Sequence, residues 1–176
     1  MNKETRIING NNQENFSNFK KIINGNLVKN TNKKKYNFFC SICDKYSYTP
    51  LAAGAYIGKN IVVTAAHVVY GLKSNSINIR FGKKNLYHRG LKFDINKILI
   101  HPDYNNTTTD NDIALIFLDN KPSRYGINII YLPSNKLSQK IYKINNECII
   151  LGYGTNSFFF WNTDKLFTKS WIKNYG

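Results

Sequence analysis

From residue 36 onward, apolar residues fall into short runs separated by turn-forming residues, and no long helical repeat interrupts them. Short runs rich in Ile, Val, Phe and Tyr are typical of β-strands, and the Gly, Pro and Asn between them indicate turns. The pattern therefore predicts an all-β domain, a barrel or a sandwich, with one short helical turn at 65–70. The predicted strands are 36–42, 51–57, 60–64, 76–81, 93–100, 113–118 and 147–151.

The first 21 residues are polar and rich in Asn, which predicts a flexible leader. They lack the apolar core of a secretory signal peptide. No apolar run in the 176 residues has the length that a membrane-spanning helix needs. The sequence thus predicts no membrane partner, and a chain that is either not exported or lacks its true N-terminus.

The formal net charge is +15, which is compatible with nucleic acid, an anionic membrane or an acidic partner. The composition offers a second explanation, because enrichment in Asn, Lys and Ile is typical of chains encoded by AT-rich genomes. Lys far outnumbers Arg, the residue that leads base recognition, and the basic residues are scattered except at 33–35. These observations favour a compositional origin of the charge and disfavour a nucleic-acid surface.

Three cysteines, Cys40, Cys43 and Cys148, give too few pairs for a disulfide framework. The spacing of Cys40 and Cys43 is that of a redox or metal pair. In the strand predicted here, however, positions i and i+3 point to opposite faces. We therefore expect no metal site and no cofactor.

Two polar residues stand at the ends of apolar strands. His67 follows an apolar run and the small residues Ala65 and Ala66, while Asp112 directly precedes the predicted strand 113–118. One interpretation is purely structural: His67 ends one strand and Asp112 begins another. The functional alternative is an imidazole presented in a cleft and oriented by a carboxylate.

Several segments together resemble the trypsin/chymotrypsin family of serine endopeptidases. Thr64 to His67 reads T-A-A-H, His101 to Asn105 reads H-P-D-Y-N, and 111–115 reads N-D-I-A-L. A Gly-Tyr-Gly turn follows at 152–154, and Lys21-Ile22 resembles the activation site of the family. The resemblance implies a Greek-key antiparallel β-barrel of the trypsin-like type.

The resemblance also implies roles. His67 would be the general base and Asp112 the carboxylate that fixes its tautomer, acting on a polypeptide substrate. The nucleophile of the family lies in a G-D-S-G-G motif, which is absent from these 176 residues. No serine after Asp112 is flanked by glycine; these serines are Ser123, Ser134, Ser138, Ser157 and Ser170. We therefore expect a first barrel over 22–133, an incomplete second barrel over 134–176, and no peptidase activity from this polypeptide alone.

Three functions remain open at this point. The first is a truncated or split endopeptidase whose serine-bearing half is encoded separately. The second is a non-catalytic homologue that binds a protein. The third is a basic anion-binding protein built on the same barrel. The compartment also stays open, because the family is mostly secreted. Ala52 and Val68 stand where the family usually has a cystine, which fits an intracellular or viral setting.

Overall fold

The computed structural model describes residues 26–27, 34–46, 50–83, 88–143, 146–153 and 165–171. These residues form ten strands, two short helices and two 3₁₀ turns, at Ser74–Ser76 and Pro122–Tyr125. The all-β prediction is confirmed. The elements are β1 (Asn26–Leu27), β2 (Phe39–Asp44), β3 (Pro50–Gly58), β4 (Ile61–Thr64), α1 (Ala66–Val69), β5 (Ile77–Phe81), β6 (Leu91–Phe93), β7 (Ile95–Ile100), β8 (Ala114–Leu118), α2 (Asn135–Ile141), β9 (Glu147–Tyr153) and β10 (Lys165–Trp171).

Seven of the strands form one antiparallel sheet in the order β6-β5-β2-β3-β4-β8-β7. Strands β2, β3 and β4 follow one another as a meander, and β5 then returns to pair with β2. A fourth strand that lies beside the first strand of a meander defines a Greek key. The Greek-key prediction is therefore confirmed.

The sheet curls until its two edge strands meet. The edge strands β6 and β7 are separated in the chain by Asp94 alone. Consecutive Cα atoms are only about 3.8 Å apart, so the two edges must lie next to each other at this residue. The Asp119 amide donates to the Asp94 carbonyl at 3.1 Å and fixes the corner. A barrel of this kind leaves few open strand edges.

The barrel interior is filled by apolar side chains that alternate with outward-facing ones along each strand. In β8, Ala114, Ile116 and Leu118 are buried whereas the residues between them are partly exposed. Phe81 contacts Tyr56 and Phe93 in edge-to-face geometry, with ring centroids 6.0 and 5.4 Å apart. The fully buried core includes Ile42, Tyr56, Val62, Ile79, Phe81, Ile116 and Leu118.

All three cysteines are described, and none forms a disulfide. Cys40 belongs to the barrel core cluster, and Cys43 is fully buried in the same strand, where it pairs in register with Asn78 of β5. Burial raises the pKa of the Cys43 thiol, although the cations of Lys83 and Arg80 act in the opposite direction. A buried thiol with a raised pKa is a poor nucleophile and metal ligand.

Ala52 and Val68 both pack against the barrel core. Apolar contacts therefore occupy the positions where the family usually has a cystine.

A second sheet has the order β1-β10-β9, with antiparallel pairing throughout. The sequence pattern predicted β9 but missed β1 and β10. It also missed α2, whose N-cap Ser134 accepts a hydrogen bond from the Leu137 amide. No residue of α2 is buried, so the apolar periodicity that reveals a helix in a sequence is weak here. In the described residues, no helix is long and apolar enough to cross a membrane.

Candidate active site

Strand pairing brings His67 and Asp112 together. Strands β4 and β8 are antiparallel neighbours, and Thr64 at the end of β4 pairs with Ala114 at the start of β8. His67 lies just after Thr64 in the chain, and Asp112 lies just before Ala114. Since antiparallel partners share one end of the sheet, both side chains emerge at the same rim of the barrel.

The His67 side chain is placed by a short helix that turns sharply away from β4. Ala65 is still extended, with φ −76° and ψ 143°, and α1 begins at the next residue. Ala66 is fully buried and Val69 is nearly so, which fixes the helix against the barrel. A larger residue at Ala66 would have no space, so the small residues that precede the histidine have a packing reason.

The Asp112 side chain is placed by a loop that is cross-linked by its own side chains. The Asn105 side-chain oxygen accepts from the amides of Thr107 and Thr108, and the Asn105 carbonyl accepts from Thr109 at 2.7 Å. The Asn111 amide group donates to the Asp103 carbonyl at 3.0 Å. These bonds explain the H-P-D-Y-N and N-D segments as loop-forming residues that hold the carboxylate in place.

Thr109 and Asn111 have positive φ angles, +60° and +55°. Asn tolerates this region well, but a β-branched residue there is strained. Such strain persists where the surrounding structure holds the backbone, and it concentrates at functional sites.

His67 and Asp112 form a close pair. The His67 Nδ1 and Asp112 Oδ2 atoms are 2.6 Å apart, and the His67 backbone amide donates to Asp112 Oδ1 at 2.8 Å. The two side chains are 48% and 27% exposed, so solvent or a substrate reaches the imidazole. A carboxylate accepts hydrogen bonds only, so the short contact places the imidazole hydrogen on Nδ1 and leaves Nε2 as a base.

The carboxyl group of Asp112 is held in its ionised form. Partial burial opposes ionisation, but the hydrogen bonds from the His67 amide and side chain, the His67 charge and the Ala66 amide together lower the Asp112 pKa below its usual value. A lowered pKa in the folded state stabilises the fold above the unfolded-state pKa, and that contribution is lost as the pH falls through the folded-state value. Asp112 is therefore a carboxylate at neutral pH.

An aromatic pair that no sequence motif indicated links α1 to the Asp112 loop. Tyr70 directly follows α1, and its ring meets that of Tyr104 edge-to-face with centroids 5.5 Å apart. Burial, the Asp112 charge and Tyr70 all raise the Tyr104 pKa. Tyr104 belongs to the H-P-D-Y-N segment, but no motif marked Tyr70, because residues this distant in sequence are paired only by the fold.

We expect Asp112→Asn to lower the pKa of Tyr104. The phenolate would then form without a neighbouring negative charge, although burial would still oppose it. Ultraviolet titration of tyrosinate, with Tyr104→Phe to assign the signal, measures the change. Asp103→Asn is the control in the same loop, since Asp103 is not among the groups that raise this pKa. An unchanged Tyr104 titration in Asp112→Asn would contradict an effect of the Asp112 charge on the Tyr104 pKa.

The remaining predicted site residues are not brought to this pair by the described structure. The activation-site residues Lys21 and Ile22 lie outside the described residues, as does Gly154. Ser134 caps α2, and Ser123 lies in a 3₁₀ turn. Among the residues that the structure describes, no three His, Cys, Asp or Glu side chains group as a metal site would require.

Comparison with known proteins agrees with the motifs and the fold. The family model for trypsin matches residues 23–170. Vitamin K-dependent protein C of Mus musculus is 33% identical over 142 residues, and Trypsin Blo t 3 of Blomia tropicalis is 36% identical over 106 residues. These alignments cover 78% and 59% of this chain, but only 29% and 39% of the two relatives. The chain therefore belongs to the trypsin family of serine proteases.

Proposed function

We propose that this chain supplies the His67–Asp112 pair of a trypsin-like serine endopeptidase that acts on polypeptides. The observation that carries the proposal is the short Nδ1 to Oδ2 contact at an exposed rim of the barrel. In this assignment residues 1–21 are a leader, and the protease domain begins at Ile22. The first barrel occupies about 22–133, and 134–176 belongs to the second.

His67 acts as the general base in this proposal. Its Nε2 takes the proton of a serine hydroxyl while the serine oxygen bonds to the carbonyl carbon of the substrate. The same proton then passes from Nε2 to the leaving amine. Asp112 holds the ring in the required tautomer and stabilises the imidazolium, because its second oxygen is anchored by backbone amides.

In this proposal the nucleophile and the oxyanion site come from residues other than these 176. The five serines after Asp112 lack flanking glycines, and at least Ser134 has a capping role. Without a nucleophile and without amides to stabilise the oxyanion, a histidine and an aspartate have nothing to activate. We expect no measurable hydrolysis from the 176-residue polypeptide and propose a serine-bearing half, encoded separately, as its partner.

Cleavage between Lys21 and Ile22 is the proposed activation step. It would free the amine of Ile22, whose acidic partner would also belong to the serine-bearing half. The substrate side chain selected by the enzyme depends on that half as well.

The alternative is a non-catalytic homologue that binds a protein partner. Large apolar side chains near α2 favour it, since Tyr131, Leu132 and Tyr142 are 81%, 71% and 67% exposed. Exposed apolar patches mark interaction sites more often than isolated apolar residues do.

Expression from the natural locus separates the two functions. The gene is expressed with and without the DNA downstream of codon 176, and each product is assayed on chromogenic peptides. The endopeptidase proposal expects hydrolysis only with the downstream DNA, abolished by His67→Ala, and a G-D-S-G-G coding segment in that DNA. A soluble, stable product that remains inactive in both cases, with no such segment downstream, would favour the binding function.

A further inference from the structure

The two elements that carry His67 and Asp112 meet at a second point. Tyr70 is the C-cap of α1, and its amide donates to the Ala66 carbonyl at 2.9 Å. Tyr104 lies in the loop that holds Asp112, and its ring meets the Tyr70 ring edge-to-face at 5.5 Å with an interplanar angle of 63°. Each ring is therefore attached to one of the two elements, so the aromatic contact links the histidine to the aspartate indirectly.

Tyr104 is fixed from three sides. Its ring packs against the barrel core, and its amide donates to the His101 carbonyl at 3.0 Å. Its hydroxyl donates to the Asn106 side-chain oxygen at 3.1 Å. A ring held in this way does not move aside, so it gives Tyr70 a rigid surface to rest on.

Tyr70 is different: among the described residues, its side chain makes one ring contact, with Tyr104, and no side-chain hydrogen bond. It is 53% exposed, so the contact with Tyr104 covers a ring that is otherwise open to solvent on one side. Edge-to-face aromatic contacts contribute about 0.5–1.5 kcal/mol beyond the area that they bury. A contribution of that size is enough to bias a short helix, because α1 comprises only Ala66–Val69.

We propose that Tyr70 and Tyr104 are positioning residues: their ring contact holds α1 against the Asp112 loop and so keeps the His67–Asp112 hydrogen bond closed. The inference rests on the proposed role of that pair. Tyr104 lies close enough to Asp112 for the carboxylate charge to raise the Tyr104 pKa.

The test follows the hydrogen on His67 Nδ1 by NMR of the ¹⁵N-labelled 176-residue protein. A hydrogen in a short bond to a carboxylate resonates far downfield, and its exchange with water reports how often the bond opens. Absence of the resonance in Asp112→Asn assigns it. We expect Tyr70→Ala to speed the exchange about two- to tenfold, the range that corresponds to the loss of one aromatic contact. Tyr70→Phe should restore the wild-type rate.

Two further variants keep the result interpretable. Tyr70→Leu keeps an apolar side chain of substantial volume, so it serves as a second test in case Tyr70→Ala impairs folding. The His67 Nδ1 hydrogen should also exchange faster in Tyr70→Leu than in the wild type. Tyr46→Ala removes a ring that is 88% exposed in another turn and should leave the rate unchanged. Wild-type exchange in both Tyr70→Ala and Tyr70→Leu, or no downfield resonance in the wild type, overturns the inference. Because no step of this test needs a nucleophile, its failure is distinct from failure of the peptidase assay.

Discussion

Asp112→Asn should lower kcat by about 10⁴-fold in any enzyme that completes this site with a serine, which is the size of the effect known for the triad of this family. The geometry explains why. The His67 amide donates to Oδ1, so the asparagine oxygen must occupy that place and the asparagine amide group must face Nδ1. Two N–H groups cannot bond to each other. The imidazole hydrogen would therefore move to Nε2, the atom that must accept the serine proton.

The measurement is kcat on a peptide substrate, using the product of the natural locus. Asp103→Asn is the matched control, because it removes an equal charge from the same loop without touching the His67 pair, and we expect it to retain kcat within about threefold, since the effect of an exposed charge is small. Thermal unfolding of both variants shows whether the fold is intact. A folded Asp112→Asn enzyme that kept more than a tenth of wild-type kcat would contradict the proposed role.

Phe81→Ala should destabilise the barrel by about 3–5 kcal/mol. The Phe81 ring is fully buried and makes edge-to-face contacts with both Tyr56 and Phe93. Removing it leaves a cavity between two rings that are themselves fixed, so little relaxation is available to fill the space. A typical domain has a free energy of unfolding of about 5–15 kcal/mol, so the loss is a large share of the total.

Urea denaturation followed by tyrosine fluorescence gives the free energy of unfolding of each variant. The control is Tyr46→Ala, which removes a ring that is 88% exposed. Its effect should stay within about 0.5 kcal/mol. Equal destabilisation by the two variants would mean that the aromatic contacts of Phe81 do not form the centre of the barrel.

The alternation of apolar and polar residues was sufficient to locate most barrel strands. The predicted strand at 51–57 agrees with Pro50–Gly58, and the one at 113–118 agrees with Ala114–Leu118. The prediction that the first of these strands starts at residue 36 was wrong. Residues 34–38 form turns, and the Phe39 amide donates a hydrogen bond to the Tyr36 carbonyl there. An apolar tyrosine in a turn is buried by tertiary packing, which a local pattern does not register.

The predicted strand at 93–100 was in fact two strands. Asp94 interrupts it, because at that residue the chain passes from one edge of the sheet to the other. Nothing in the local sequence distinguishes this bend from an ordinary polar position in a strand. The bend follows from closure of the barrel, which depends on pairings between segments that are distant in sequence.

The candidate site was predictable in part. His67 and Asp112 were identified from the motifs, and the fold brings them together, whereas their catalytic roles stay a prediction. The Tyr70–Tyr104 pair was not identifiable, since neither spacing nor composition links a residue after a helix with one in a distant loop. The contact between the Lys83 ammonium and the His88 carbonyl, at 2.6 Å, was also missed, although only five residues separate the two, because no sequence pattern marks a lysine that the fold buries; this burial lowers the Lys83 pKa.

The pairing of β4 with β8 has a consequence for how the protein folds. These strands are neighbours in the sheet although about 50 residues separate Val63 from Leu115. Long-range pairings of this kind form late and slowly, because the loop must be ordered before any contact compensates for it. During synthesis the imidazole is made well before its carboxylate partner can reach it. The hydrogen bond between them is therefore a kinetic marker. The time at which it appears during refolding reports when the seven-stranded barrel closes.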